Sequence, residues 1–402
     1  MNMKLISRDF YLRQLDAVRD IPDIKVITGI RRCGKSSLMD AFSTRIAGEA
    51  GVNVVRINLN LNLKRNIELR QPESLYGYVE SRYRKDLKNY LFIDEVQMCQ
   101  GFEEIISSIH EESIYDIYLT GSNAFLLSSD LATLFGGRVF EISIFPFSFA
   151  EYLQYHDSSD PDGSFDSYVR DGGMSGSYLY RTYENAMKYV EAIYETTIAK
   201  DIIKKFRVQN EGMLLRIGNF LMDNVGSLTS IRNVASKLIS AAVDTNDKTA
   251  GAYIRYFCQS FLFYPVRRYD IRGKRYLEAD CKYYLADLSF RFAVIGNKDP
   301  DYGHLYENLV AIELLRRGYE VYVGKLYQKE VDFVALKQGQ RMYIQVSDNI
   351  SGPETLKREL APLLAIRDAY PKFLIARTRH DTADCDGVQV VDIARWLAGS
   401  QK

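Results

Sequence analysis

The sequence predicts an α/β chain with a parallel sheet of the phosphate-loop NTPase kind near its N-terminus. Three observations carry that. Short β-branched runs alternate with helical patterns through the first 150 residues or so, the order expected of a parallel sheet covered on both faces. A glycine-rich turn, Gly29-Ile30-Arg31-Arg32-Cys33-Gly34-Lys35-Ser36, follows the run KVIT and opens the helical run SSLMDAF. The run Tyr90–Asp94, YLFID, is almost wholly apolar until it ends in acid, as a strand buried on both faces should be.

Taken in order, strands are expected at Lys25–Thr28, Val52–Asn58, Tyr90–Asp94, Asp116–Thr120 and Val139–Ile144. Helices are expected at Lys35–Ile46, Pro72–Leu87 and Phe102–His110. DSSDPDG at Asp157–Gly163 reads as an exposed loop, and DGGMSGS from Asp171 as a second break. Helical patterning then covers ENAMKYVEAIYETTIAKDIIKKF and LLRIGNFLMDNV. Thr229 and Ser230 are placed to cap IRNVASKLIS, and KTAGAYIRYFCQSFLF follows as a further helical pattern. VRRYDIRGKRYLEA reads as two short strands around a turn at Arg272-Gly273. The last hundred residues are mixed: helix Tyr306–Arg317, strands Glu320–Val323, Val331–Leu336 and Met342–Ser347, helix Thr355–Ala369, strand Lys372–Ala376.

Composition bounds the function classes. At 402 residues the chain has room for two or three domains. Its 47% apolar and 26% charged content is that of an ordinary globular protein and excludes collagen-like or wholly disordered chains. Lys plus Arg equals Asp plus Glu at 52 each, so any nucleic-acid surface must be local. Five scattered cysteines without a CxxC pair, and four histidines, argue against a disulfide framework or a zinc site. There is no secretory h-region and no run of eighteen apolar residues, so a reducing cytoplasm is the expected compartment, with no membrane association.

The glycine-rich turn fits GxxxxGK[ST]. Its chemistry needs that order: backbone N–H groups of the turn and of the helix N-terminus face phosphate oxygens, and the glycines let the backbone wrap closely. Gly29, Arg31, Arg32, Cys33, Gly34, Lys35, Ser36 and Ser37 are therefore the expected nucleotide contacts. Lys35 would reach the β- and γ-phosphates and Ser36 would ligate Mg²⁺. Asp94 would hold the same ion through water, and Glu95 would polarise an attacking water. IYLTGSN ends a further strand, so Ser122 or Asn123 would contact the γ-phosphate or that water. Gly136-Gly137 presents Arg138 as a neutraliser of transition-state charge, within the chain or across to another subunit.

TGIRRCGKSS, LFIDEVQ, YLTGSNAFLLS, LFGGRVFEISIFPFSFAEYL, YLADLSFRF and YQKEVDFVA together resemble one prokaryotic family. Its members join an AAA-type ATPase core to a C-terminal domain long described only as of unknown function. The resemblance covers nearly the whole chain. It implies a core with an extra strand between the phosphate-loop strand and the Asp-Glu strand, a helical lid, a winged-helix segment and a C-terminal domain like restriction endonucleases. It also implies that Ser122 and Asn123 stand at the family's sensor position and Arg138 in its GR motif. The expected organisation is an ATPase core over 1–155, a lid over 156–208, a winged helix over 209–290 and a degenerate nuclease-like domain over 291–402.

The residues of the C-terminal regions qualify those expectations. Glu211 to Arg275 carries ten Lys/Arg against five Asp/Glu, an excess of five. It is concentrated in Arg267, Arg268, Arg272, Lys274 and Arg275, on the expected wing, where DNA phosphates could be tracked or a protein docked. Glu307, Asp332 and Gln345-Val346-Ser347 fall where a metal-dependent nuclease would place a helix Glu, a strand Asp and an ExK triplet. Gln345 stands for the Glu and Ser347 for the Lys, and Glu330 shares the face of Asp332. A degenerate site used for binding or structure is expected there over an active one. The chain is thus expected to be a Mg-ATP-dependent ATPase acting as a switch or motor. A nucleotide-controlled DNA-binding or protein-docking module is the alternative, with ATP, ADP, Mg²⁺, DNA, a protein or its own copies as partners.

Overall fold

The structure is a computed structural model and describes residues 4–121, 135–297 and 300–399. Two compact units are present. One is Ser7–Phe145, and the other is Pro146–Lys402 with the residues that precede Ser7. The first passage between regions thus falls at 145/146, ten residues before the boundary expected at 155.

Within Ser7–Phe145, five parallel strands form one sheet: β1 Ile24–Thr28, β2 Val52–Asn58, β3 Lys88–Asp94, β4 Asp116–Thr120 and β5 Val139–Ser143. Their order is β2-β3-β4-β1-β5, with β4 between β1 and β3. Each expected strand appears within two residues of its expected bounds. Residues with β-branches and aromatic rings fill both faces, and β1 is buried along its length. The register brings Asn58 opposite Asp94 and Ile27 opposite Thr120, so the polar last residues of the strands line one edge. Lys25 breaks the apolar run of β1. Its buried ammonium lies 2.6 Å from Asp116, which also accepts a hydrogen bond from Tyr118 Oη at 3.0 Å.

Within the second unit, Asp157–Asp160 form the expected loop, while Pro161–Gly163, the end of DSSDPDG, already open a helix, Pro161–Asp171. The turn residues are cap residues: Asp160 accepts from the Gly163 N–H at 3.0 Å, and Pro161 occupies the first turn. Helix Tyr183–Thr196 runs into a wider π turn at Thr197–Ile203, where Thr196 and Thr197 donate back to carbonyls four residues earlier. Ser230 caps Ile231–Ser240 as expected, whereas Thr229 forms a β-bridge with Cys281. The expected run to Phe263 stops at Gln259, because Phe261 takes a left-handed conformation and Phe263 begins a strand.

That strand, β6 Phe263–Asp270, pairs with β7 Arg275–Leu285. Beyond it come β8 Glu320–Leu326, β9 Lys329–Lys337, β10 Gln340–Ser347, β11 Lys372–Ala376, β12 Ala383–Cys385 and β13 Val388–Asp392. All eight belong to one sheet, in the order β12-β13-β11-β10-β9-β8-β6-β7. The hairpin therefore shares a sheet with strands beyond the boundary expected at 290/291, joined through the parallel pairing of Arg268–Asp270 with Val323–Lys325. The pairing of β6 with β7 shifts register between Arg267, opposite Cys281, and Arg268, opposite Leu277, the mark of a bulge. β12, β13 and helix Ile393–Ala398 lie beyond the last element expected from sequence. Among the described residues, no helix is long and apolar enough to cross a membrane.

Asp287 caps helix Leu288–Val294, accepting from Ser289 and from the Gly173 N–H. Burial pushes its carboxyl up to about 6 from an ordinary 3.8, against the pull of those hydrogen bonds. Folding therefore favours its protonated form, and its stabilisation is complete below the unfolded pKa and lost as pH rises through 6. Relative to the wild type, Asp287→Asn should gain about 2 kcal/mol of unfolding free energy between pH 4 and 7. Urea melts of both proteins across that range would measure the difference.

Candidate functional site

The turn after β1 has the backbone that its glycines permit. Gly29 adopts φ of +141°, and a Cβ there would lie 2.1 Å from the Ile144 carbonyl oxygen, so no other residue fits. Gly34, at φ of +101°, is the N-cap of helix Lys35–Ala47. Arg32 is left-handed as well, and both Arg32 and Ser37 are exposed. Arg31 is half-buried and Cys33 buried. Lys35 is buried and donates to the carbonyls of Gly29 at 2.8 Å and Ile30 at 3.0 Å. An ammonium has three protons, so one remains for a phosphate oxygen while the other two hold the side chain inside the loop.

Asp94 is the centre of the polar edge. Its Oδ1 accepts from Ser36 Oγ at 3.0 Å and from Thr120 Oγ1, and its Oδ2 accepts from Asn58 Nδ2 at 2.8 Å. Burial raises its pKa, while the Thr120 and Ser36 bonds pull it down. Thr120 Oγ1 also accepts from the Glu95 N–H at 3.1 Å. Glu95 sits half-buried at φ of +55°, rare for a glutamate, and its carboxylate accepts from the Gln97 amide. Ser36 Oγ and the Asp94 carboxylate are hard oxygen donors side by side at the loop, a set that fits Mg²⁺. Sequence reasoning missed Asn58 and Thr120. The available signal was positional: each is the last residue of its strand, and ligands of open parallel sheets bind beyond those ends.

Arg138 is not part of this group. It precedes β5, and its carbonyl accepts from the Ile24 N–H at the start of β1, whereas the phosphate loop follows the end of β1. Five strand residues, about 16 Å, separate the two edges. Arg138 is exposed there, at the end of β1 opposite the phosphate loop. Ser122 and Asn123 lie outside the described residues.

Residues 22–153 match the family model of an AAA domain, and residues 162–301 match that of a domain of unknown function, DUF8612. An uncharacterized protein of Haemophilus influenzae is 35% identical over 407 residues, covering 99% of this chain and 100% of that protein. This chain belongs to that protein's family. An uncharacterized protein of Methanocaldococcus jannaschii is 24% identical, covering 91% of this chain and 82% of its own. The DNA-complexed ORC1 protein of Aeropyrum pernix is 12% identical at a TM-score of 0.34, covering 77% of this chain and 94% of its own. At that score the likeness carries no weight here. The AAA match and the five-stranded parallel sheet make Ser7–Phe145 an AAA-type P-loop ATPase domain.

A second polar cluster gathers around a residue that the sequence did not single out. Lys282, on β7, buries its ammonium 2.7 Å from Glu307, 2.9 Å from Glu330 and 3.7 Å from Asp332. Tyr284, two residues on and on the same face, donates to Glu307. Burial opposes the charge on Lys282, but the carboxylates, Glu307 foremost, outweigh it and hold its pKa above the usual lysine range. Burial and the Glu307 charge push Asp332 up to about 7. Asp332 is further tied to the Val346 N–H at 2.8 Å, and Gln345 bonds the Asp332 N–H and Glu359. Lys329 reaches instead to the Ala361 carbonyl. The detectable signal for Lys282 was a lone lysine within CKYYLA, an otherwise apolar run.

The hairpin arginines are not equivalent. Arg267, Arg272, Lys274 and Arg275 are exposed, while Arg268 is half-buried with its Nε lacking a partner among the described residues. Arg275 lies 3.5 Å from Asp270, and Arg272 packs over the Tyr327 ring.

Removing the central cation would leave three carboxylates facing one another. Lys282→Met should lower the stability of the unit by about 3–5 kcal/mol. Lys282→Met combined with Glu307→Gln should recover part of that loss, as read by chemical denaturation.

Proposed function

We propose that this protein binds Mg-ATP and hydrolyses it to ADP and phosphate, working as a nucleotide-driven switch or motor. One observation carries the reading: Lys35, Ser36, Asp94 and Glu95 converge at the edge of one sheet, with Thr120 bridging the Asp94 carboxylate and the Glu95 backbone. In this reading the loop N–H groups and the free proton of Lys35 hold the β- and γ-phosphates. Ser36 and Asp94 hold Mg²⁺, which supplies charge neutralisation on the phosphates when bound. Glu95 accepts a proton from, or orients, the attacking water, with Gln97 fixing its carboxylate and Asn123 as the further expected polar contact. Arg138, exposed at the far edge, would serve the nucleotide of a second subunit, which makes a homo-oligomer part of the proposal.

The second unit is the effector in this reading. Helix Glu211–Asp223, the bridge at Thr229, helices Ile231–Ser240 and Asp247–Gln259 and the β6–β7 hairpin follow the order of a winged helix. The exposed Arg267, Arg272 and Lys274 on that hairpin favour contact with DNA phosphates, and a protein partner is the alternative. The strands beyond it would form the nuclease-like part in this reading. Lys282 pairs with the carboxylates that would otherwise take a metal, which favours a structural role over cleavage.

Steady-state hydrolysis with Mg²⁺ tests the main reading. Glu95→Gln should cut turnover at least 100-fold while ATP still binds. Lys35→Ala should abolish binding by calorimetry, and unchanged binding would remove the site assignment. For the hairpin, DNA affinity should fall with rising salt. Arg267→Ala and Arg272→Ala should each reduce the slope of log affinity against log salt by about one. A flat salt dependence would favour the protein partner.

A further inference from the structure

Only two peptide links join the two units, Ile6–Ser7 and Phe145–Pro146. Both lie next to one side chain. Arg8, two residues past the first link, is buried to 6% exposure. Its Nη1 donates to the Cys33 carbonyl of the phosphate loop at 3.0 Å, and its Nη2 donates to the Phe145 carbonyl at 2.9 Å. The guanidinium stacks over the Tyr11 ring, and Tyr11 Oη accepts from the Phe145 N–H at 3.2 Å. The loop touches the same segment a second time. The Ile144 N–H donates to the Thr28 carbonyl at 2.9 Å, and the Ile144 carbonyl occupies the space in front of Gly29.

We infer that Arg8 is a positioning residue that ties the state of the phosphate loop to both chain links between the units. This inference rests on the ATP reading above. A phosphate held by the loop fixes the peptide planes around Cys33 and so fixes where the Cys33 carbonyl points. A planar guanidinium that bonds two carbonyls at once passes that constraint on, because its two N–H groups cannot be re-aimed separately. The Phe145 carbonyl and the N-terminus of helix Asp9–Ala17 therefore follow the loop. A lysine at position 8 would keep the charge but has no rigid fork with which to hold both carbonyls in register.

Hydrogen exchange on the full chain, with and without Mg²⁺ and a non-hydrolysable ATP analogue, tests this. In the wild type, nucleotide should slow exchange several-fold in residues 29–36 and also in 7–12 and 143–147. In Arg8→Ala the loop should remain protected and the two links should lose their response. If Arg8→Ala does not fold, Arg8→Lys carries the test: kcat for ATP should drop about tenfold with KM within about twofold. Links that respond equally without Arg8, or that stay silent in a wild type whose loop is protected, would overturn the inference. Calorimetry on the wild type separates the two levels, since no ATP binding there removes the ATP reading itself and this inference with it.

Discussion

Everything at the nucleotide edge depends on how the Asp94 carboxylate is held. Three strands contribute to it: β3 supplies the acid, β2 the Asn58 amide and β4 the Thr120 hydroxyl, and the first turn of helix Lys35–Ala47 adds Ser36. A carboxylate so buried survives only because each oxygen has a donor. The parallel register makes this possible, since it ends β2 and β3 level with each other and β4 level with the phosphate-loop strand. A hydroxyl that donates to Asp94 and accepts from the Glu95 N–H also sets the left-handed turn at Glu95. The Asp94 carboxylate and the Glu95 backbone are thus positioned by one threonine.

The same economy holds behind the loop. Gly29 is glycine because the Ile144 carbonyl stands where a side chain would go, and Arg8 closes the gap between Cys33 and Phe145. The segment that leaves the ATPase domain is therefore packed against the phosphate loop. A rearrangement of the loop has a short covalent and hydrogen-bonded route out of the domain.

In the second unit a lysine does what a cation would do elsewhere. Lys282 neutralises part of the charge of Glu307, Glu330 and Asp332 from within the fold. Lys282 and Tyr284, two residues apart on one face of β7, both reach Glu307. Removing the lysine would leave buried acids uncompensated, whereas the intact cluster joins hairpin, helix Tyr302–Arg316 and β9 into one body.

Much was legible in the sequence because it is local. The phosphate loop, the Asp-Glu strand end, the alternation of strand and helix and most element bounds follow from short-range periodicity and from residues that tolerate few backbone states. The helix start inside DSSDPDG was missed because cap and loop residues are the same residues, and only the chain that follows decides between them. Asn58, Thr120, Arg8 and Lys282 could not be assigned roles from sequence, since each acts on a partner at least 24 residues away: Asn58 on Asp94, Thr120 on Asp94, Arg8 on Cys33 and Phe145, Lys282 on Glu307. Arg138 shows the converse. Its motif was readable, but strand direction placed it about 16 Å from the loop. What the sequence by itself determined was the glycine-rich loop between strand and helix, which lives in contiguous residues. Which side chains complete that site, and which cation fills the acid cluster, only the tertiary structure decided, because strand register and bulges set distances that no local pattern encodes.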